Sequence, residues 1–279
     1  MTSPPPLTWL YVPGDRPDRV SRALTTDADV VIIDLEDAVA PDRKEYARAA
    51  TADRLTDAQP VPVHVRVNAL DGPWAALDLK TLAPLRGLSG LRLPKITDPR
   101  QLVAVAETAT GGDRTPPPLH PLLESALGVE HVYAIATAHP AVAGISLGEA
   151  DLRADLGVSD DTALDWPRSR TVLAARAAAL PPPAQSVHPD IRDLDTLAAT
   201  CAHGRALGFL GRAAIHPRQL PVIERAYLPT AREIEEATVI VEAATACAGA
   251  QALTDGTFID PAILALAHRT LSLAEAHRP

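Results

Sequence analysis

Val30-Val-Ile-Ile-Asp-Leu-Glu-Asp37 sets four β-branched residues directly before a tail that holds three carboxylates. A run that is apolar at every position reads as a strand covered on both faces, as in a parallel sheet, and the acidic tail marks where it leaves the core. Seven other short apolar runs share this form: Trp9–Val12, Val63–Val67, Gly90–Pro94, Leu119–Leu123, Val142–Leu147, Ala184–Val187 and Ala213–Ile215. Between most of them Ala, Leu and Val recur at helical spacing, as in Arg19–Leu24, Lys44–Leu55, Pro99–Ala109, Val129–Ala138 and Leu194–Leu207, with a shorter pattern at Trp74–Leu85. Eight strands alternating with helices predict an α/β fold, a (β/α)8 TIM barrel, over residues 1–220.

Residues 221–279 exceed what barrel closure needs. They read as helices over Pro221–Tyr227 and Ala231–Ala248, a break at Asp255–Gly256, and a last helix from Pro261 to Ala276. The expectation is a C-terminal helical extension packing on a neighbouring subunit, with Thr254–Asp260 as a loop delivered to an active site. Pro116–Pro118 and Pro181–Pro183 sit directly before strands and read as rigid loop entries.

The 279 residues are 47% hydrophobic and 22% charged, an ordinary globular composition. A formal net charge of −9 leaves no basic face for a phosphate backbone, so nucleic acid is not an expected partner. No apolar run approaches the ~18 residues of a membrane span. Met1–Leu7 lacks the basic start and apolar stretch of a secretory signal, and a cytoplasmic location is expected. Cys201 and Cys247 are too few for a disulfide framework and have no ligand neighbours. No Gly-x-Gly-x-x-Gly follows a strand and no Walker loop is present, which excludes the usual nicotinamide and nucleotide-hydrolysis readings. Ser125 and Ser146 lack a Gly-x-Ser-x-Gly setting.

Barrel enzymes place their catalytic groups at the C-terminal ends of the strands, and here polar residues cluster where the runs stop. Glu124 and Asp151 are single carboxylates after two successive strands; as hard oxygen ligands they suit Mg2+ or Mn2+, or else they cap the helices that follow. Arg66, inside Val63-His-Val-Arg-Val-Asn68, is placed to bind a carboxylate or a developing enolate oxygen, or to pair with Glu36 or Asp37. The run Asp34-Leu35-Glu36-Asp37 could hold water around a metal, with Glu36 and Asp37 the candidates for contact with substrate, or it could simply offset the nearby Arg43, Lys44 and Arg48. His216, like His64 and His188, reads as structural. Lys95 has no second lysine nearby to lower its pKa, which argues against amine catalysis.

Taken in order, the segments Tyr11–Arg19, Val30–Val39, Arg66-Val-Asn68, Leu93-Pro-Lys95, Leu123-Glu-Ser-Ala126, Gly148-Glu-Ala-Asp-Leu152 and Gly208–Pro217 form a pattern. The chain resembles the citrate lyase β-subunit-like branch of the HpcH/HpaI aldolase and citrate lyase family, over almost its whole length. The resemblance implies a metal-dependent carbon–carbon lyase on a (β/α)8 barrel, commonly trimeric, acting on acyl-CoA thioesters. It makes Glu124 and Asp151 the Mg2+ ligands, Arg66 the contact to substrate and its reacting oxygen, and Asp260 an acid–base group supplied by an adjacent subunit. Arg16, Lys44 and Arg48 are candidates for the coenzyme A phosphates on charge grounds. The chain departs from the family pattern at Leu127, where an arginine is usual, at Glu149, which stands two residues before Asp151, and at Arg212, where a lysine is common.

The expected reaction is cleavage or formation of a β-hydroxyacyl-CoA such as malyl-CoA or citramalyl-CoA, giving acetyl-CoA and glyoxylate or pyruvate. The alternatives are a metal-dependent aldolase on a CoA-free hydroxy-keto acid, the β-subunit of a multi-subunit citrate lyase, and a catalytically silent barrel.

Overall fold

The computed structural model describes residues 4–110, 115–246, 251–252 and 258–277. The chain divides into two units, Leu7–Ala226, and Met1–Pro6 with Tyr227–Pro279.

The larger unit is built on a parallel sheet of seven strands: β1 (Thr8–Pro13), β2 (Val30–Asp34), β3 (Val63–Arg66), β4 (Gly90–Leu93), β5 (Leu119–Leu123), β6 (Ser146–Leu147) and β7 (Arg212–Ala214). Their order across the sheet is β6-β5-β4-β3-β2-β1-β7, so each successive βα unit adds a neighbour and the last strand returns beside the first. The sheet curls: residues at both of its edges, Ser146 and Leu147 at one and Ala213 and Ile215 at the other, line one cavity. β2 is buried at all five positions, as its uninterrupted apolar sequence requires. Burial of each such Val or Ile contributes roughly 1.5–3 kcal/mol.

The seventh of the eight expected strands, Ala184–Val187, is where the structure differs. Of Ala184–Val187 only Gln185 pairs, through a single parallel bridge to Arg212, and Val142 makes only a bridge to Leu119, leaving β6 two residues long. Three prolines stand immediately before Ala184, and proline supplies no backbone N–H to a ladder. The stretch Val129–Ala138 is likewise two short helices, Ala126–Glu130 and Val132–Ala136, with His131 off helical geometry between them. Leu194–Leu207 forms as read, with the Asp193 carboxylate accepting from Thr196 N at its start and Gly208, at φ 98°, ending it.

Strand alternation decides which side chains face the interior. Trp9, Val30, Ile32, Ala184 and Ala213 form an interior cluster against which Tyr11 and Val187 pack. Two residues further along each strand come Pro13, Asp34 and Ile215, which line the cavity at the strands' C-terminal ends.

In the smaller unit, helices Ala231–Ala246 and Pro261–Ala276 pack together and bury Ala237 and Ala267. β8 (Gln251–Ala252) and β9 (Phe258–Ile259) form an antiparallel pair. Cys247 and most of the Thr254–Asp260 loop lie outside the described residues. Among the described residues, no helix is long and apolar enough to cross a membrane.

Candidate active site

A cavity of about 500 Å³ opens at the C-terminal ends of the strands. Arg66, Glu124 and Asp151 all line it, as does Asp37. Glu36 is buried directly behind, 3.0 Å from Arg66 Nη1 and 2.8 Å from Lys95 Nζ.

Arg66 ends β3 opposite Asp34 on β2, and that register makes the central ion pair of the site. Arg66 Nε donates to Asp34 Oδ1 at 2.8 Å and Nη2 to Asp34 Oδ2 at 2.6 Å, a two-pronged contact that fixes the plane of the guanidinium. Asp34 is itself pinned by the N–H groups of Glu36 and Ala38, and the Arg66 fork lies over the Tyr11 ring. Burial by itself would lower the Arg66 pKa, but the hydrogen bonds and charge of Asp34, with Tyr11 and Glu36, raise it. The pairing of Arg66 with Glu36 and Asp37 forms as the loop sequence suggested. Its strongest partner is Asp34, which the sequence places in the acidic run without marking it as the partner of Arg66.

Glu124, one residue past β5, is 5% exposed. Its Oε2 accepts from the backbone N–H of Lys95 at 2.7 Å. Lys95 holds that geometry at φ 56°, a left-handed conformation costing a non-glycine residue on the order of 1 kcal/mol. Burial first, then the charges of Glu36 and Asp151, push the Glu124 carboxyl up to about 7, against the partly offsetting Lys95 N–H and Arg66. Glu36 is raised too, chiefly by burial, and its Oε2 is buried without an aligned hydrogen bond. Asp151 lies in the first turn of the helix Glu149–Leu156. Gly148, just before that helix, leaves the space that the Glu124 carboxylate occupies.

Glu124 thus lies within electrostatic reach of two other carboxylates, Glu36 and Asp151, a repulsion that a divalent cation would relieve. The donors are all oxygen, which fits Mg2+ or Mn2+ rather than a softer metal. Among the described residues, no group of three or more His, Cys, Asp or Glu is placed to hold an ion, so Glu124 and Asp151 would leave most of the shell to water and substrate, as Mg2+ favours.

Other expectations are redirected. Lys44 is buried and its ammonium donates to the carbonyls of Leu35 at 2.7 Å and Glu36 at 2.6 Å, holding the acidic loop in shape. Arg48 is buried against Asp78 at 3.0 Å, which in turn accepts from Asn68. Neither presents a free charge to a phosphate, and both leave the set of coenzyme A candidates. Arg16 remains exposed beside Asp15. Lys95 Nζ is held by Glu36, which raises its pKa and keeps the amine protonated. Glu149 is gripped by the buried Arg168 at 2.9 and 2.7 Å. That explains why it stands two residues before Asp151 without joining the acidic cluster. His216 accepts from Arg218 N through Nδ1 and caps a turn. Asp260 Oδ1 accepts from Ala262 N and Ile263 N and caps the last helix.

Residues 7–217 match the sequence profile of HpcH/HpaI aldolase/citrate lyase. The chain belongs to this aldolase and citrate lyase family. Curated relatives include a (3S)-malyl-CoA thioesterase of Cereibacter sphaeroides, 34% identical over 276 residues that cover 96% of this chain and 94% of that protein. The citrate lyase subunit beta of Escherichia coli is 33% identical, with 95% and 93% covered. Among solved structures, CitE from Mycobacterium tuberculosis in complex with magnesium, acetoacetate and coenzyme A superposes with a TM-score of 0.82 at 32% identity, covering 97% of this chain and 98% of that one. The M. tuberculosis citrate lyase beta subunit complexed with oxaloacetate and magnesium gives a TM-score of 0.68 at 34% identity, with 80% and 97% covered. The family's aldolases and lyases are enzymes, and the resemblance read from the strand-end motifs is to this group.

Proposed function

We propose that this chain is a Mg2+-dependent enzyme acting on coenzyme A thioesters, cleaving or forming the carbon–carbon bond of a β-hydroxyacyl-CoA such as malyl-CoA or citramalyl-CoA. The observation that carries the reading is Glu124, a buried carboxylate pushed up to about 7 beside Asp151 and Glu36, in the same cavity as the Asp34-anchored Arg66. The magnesium, oxo-acid and coenzyme A complexes of the M. tuberculosis relatives support it.

Glu124 and Asp151 would hold the ion, which when bound supplies Lewis-acid polarisation of the oxo-acid oxygens. Arg66 stays protonated, and its fork, oriented by Asp34, would stabilise the negative charge that develops on the reacting oxygen. Cleavage moves the electron pair of the bond between the hydroxyl-bearing carbon and the thioester α-carbon onto the latter. The hydroxyl loses one proton and the α-carbon gains one, so the step is balanced. Asp260 is the proposed donor to the α-carbon, reaching the site of an adjacent subunit in a trimer. Arg16, exposed at the strand ends, is the remaining candidate for the coenzyme A phosphates. The proposed architecture is the complete (β/α)8 barrel, with the 184–187 segment as its seventh strand, between β6 and β7.

The thioesterase name of the C. sphaeroides relatives favours a second reading, hydrolysis of the same thioester. Product analysis separates the two. Malyl-CoA incubated with the protein and Mg2+ is expected to yield acetyl-CoA and glyoxylate, lost with chelator and in Glu124→Gln and Asp260→Ala. Free CoA with malate would instead establish hydrolysis, and activity on CoA-free hydroxy-keto acids alone would establish the aldolase.

A further inference from the structure

Arg92 is the buried cation of this cavity that no carboxylate balances. It lies on β4 directly opposite Arg66 on β3, so strand geometry sends both side chains to the same interior face, one strand spacing of about 4.8 Å apart at the backbone. Their surroundings differ sharply. Arg66 has Asp34, Glu36 and Asp37 around it. Arg92 is 4% exposed, donates from Nη1 to Ser146 Oγ at 3.2 Å, has the Tyr11 hydroxyl beside it, and buries its Nε without a partner. Among the described residues no carboxylate lies within ion-pair distance of it.

The other groups facing Arg92 offer no counter-charge. Arg66 is a like charge. On the floor below, His64 and His120 stack at 4.5 Å between ring centroids. Both are kept neutral, by burial first and also by Arg92 itself, with His120 pushed down to about 3. Burial also drives the Arg92 pKa down, yet a guanidinium does not deprotonate in a protein, so the charge persists. A buried charge of this kind is costly unless paired, and the space beside it is the cavity that Glu124, Asp151 and Arg66 share.

We propose that Arg92, with Ser146 and Tyr11, forms a second anion subsite that holds an acidic group at the far end of the oxo acid, and so favours a 2-oxo acid bearing a second carboxylate over the monoacid of the same chain length. The guanidinium supplies parallel N–H donors to that carboxylate, and the two hydroxyls supply donors for its remaining lone pairs. The inference rests on the reading of the cavity as an oxo-acid site.

The test is calorimetric titration of the Mg2+-loaded protein with matched pairs, oxaloacetate against 2-oxobutyrate and 2-oxoglutarate against 2-oxopentanoate. The diacid of at least one pair is expected to bind roughly 10- to 100-fold more tightly, the discrimination one charge-assisted contact provides. Arg92→Met is expected to reduce that ratio to near unity, Arg92→Lys to restore part of it, and Ser146→Ala to weaken it. Thermal unfolding supplies the structural control: Arg92→Met removes an unbalanced buried charge and is expected to keep or raise the ligand-free Tm, whereas a purely structural arginine would lower it. Equal binding within both pairs, or a ratio that survives in folded Arg92→Met, overturns the subsite while leaving the oxo-acid site standing. Failure of every oxo acid to bind the Mg2+-loaded protein overturns both.

Discussion

Gly148 stands so close to Glu124 that a Cβ at position 148 would lie 2.4 Å from Glu124 Cγ and 2.6 Å from Oε1. The backbone there has φ −95°, which any residue adopts, so the glycine serves close approach rather than an unusual turn. In Gly148→Ala the atoms met are Cγ and the carboxylate of the buried Glu124, and the conflict is relieved by turning that side chain off its anchor on the Lys95 N–H. The fold is expected to survive at a cost of roughly 1–3 kcal/mol, the usual range for overpacking a buried site. Affinity for Mn2+, measured by electron paramagnetic resonance titration, is expected to drop roughly tenfold or more because one of two protein ligands is displaced. Unchanged affinity would place the ion away from Glu124.

The raised Glu124 pKa has a definite sign for stability. A carboxyl whose pKa rises from 4.5 to about 7 on folding is penalised only when ionised. The penalty is absent below about pH 4.5, grows through the window, and is complete above about pH 7. Metal-free Glu124→Gln is therefore expected to be more stable than wild type at pH 8, by on the order of 2–4 kcal/mol, with the gap closing as pH falls towards 4.5. Added Mg2+ is expected to raise the wild-type Tm at pH 8 and to leave the variant unmoved. Thermal unfolding across this range, with chelator and with metal, checks both. A variant less stable at every pH would mean that the carboxylate is a structural partner of Arg66 and Lys95.

Much of this site was legible because parallel strands write it in two ways. Uninterrupted apolar runs such as Val30–Ile33 announced the sheet, and the polar residues just past them, Glu124 and Asp151, announced its catalytic end. What is harder to read lies inside the runs. Tyr11, Asp34 and Arg92 occupy interior positions at the strand period of two, and a charged residue at such a position is itself a signal. Arg66 carries that signal, and Arg92, in Gly90-Leu-Arg-Leu93, carries it equally. The roles of Lys44 and Arg48 could not be read locally. Their partners are the Leu35 and Glu36 carbonyls and Asp78, 8 to 30 residues away, and only tertiary packing makes a helical lysine or arginine a buried tie. The Ala184–Val187 run pairs only through Gln185, because the three prolines before it supply no N–H to extend the ladder.

That redirection separates three basic residues by experiment. Arg48→Met strands Asp78 as an unpaired buried carboxylate and is expected to destabilise the protein by roughly 3–5 kcal/mol. The KM of its folded fraction for the CoA ester is expected to match wild type. Arg16→Ala, at an exposed position, is expected to leave Tm within about 0.5 kcal/mol of wild type and to raise the KM for the CoA ester several-fold. Steady-state kinetics against CoA-ester and chemical denaturation settle the division. A KM effect in Arg48→Met and none in Arg16→Ala would reverse it.

The Asp34–Arg66 pair allows the orienting carboxylate to be distinguished from the reacting cation. Asp34→Ala leaves Arg66 with Glu36 and Asp37 but without its two-pronged anchor at 2.6 and 2.8 Å, and frees the N–H groups of Glu36 and Ala38. It is expected to cost roughly 3–5 kcal/mol, as the loss of one partner from a buried pair does. Arg66→Met is expected to abolish turnover by about 100-fold or more, acting on kcat because the charge on the reacting oxygen develops only in the transition state. The double variant is expected to be less destabilised than the sum of the two, since removing both partners leaves no orphaned charge between them. Denaturation of all four proteins gives that coupling directly. Strict additivity would show that Asp34 holds the Glu36–Ala38 loop rather than the guanidinium, and the orientation of Arg66 would then rest on Glu36 and Asp37.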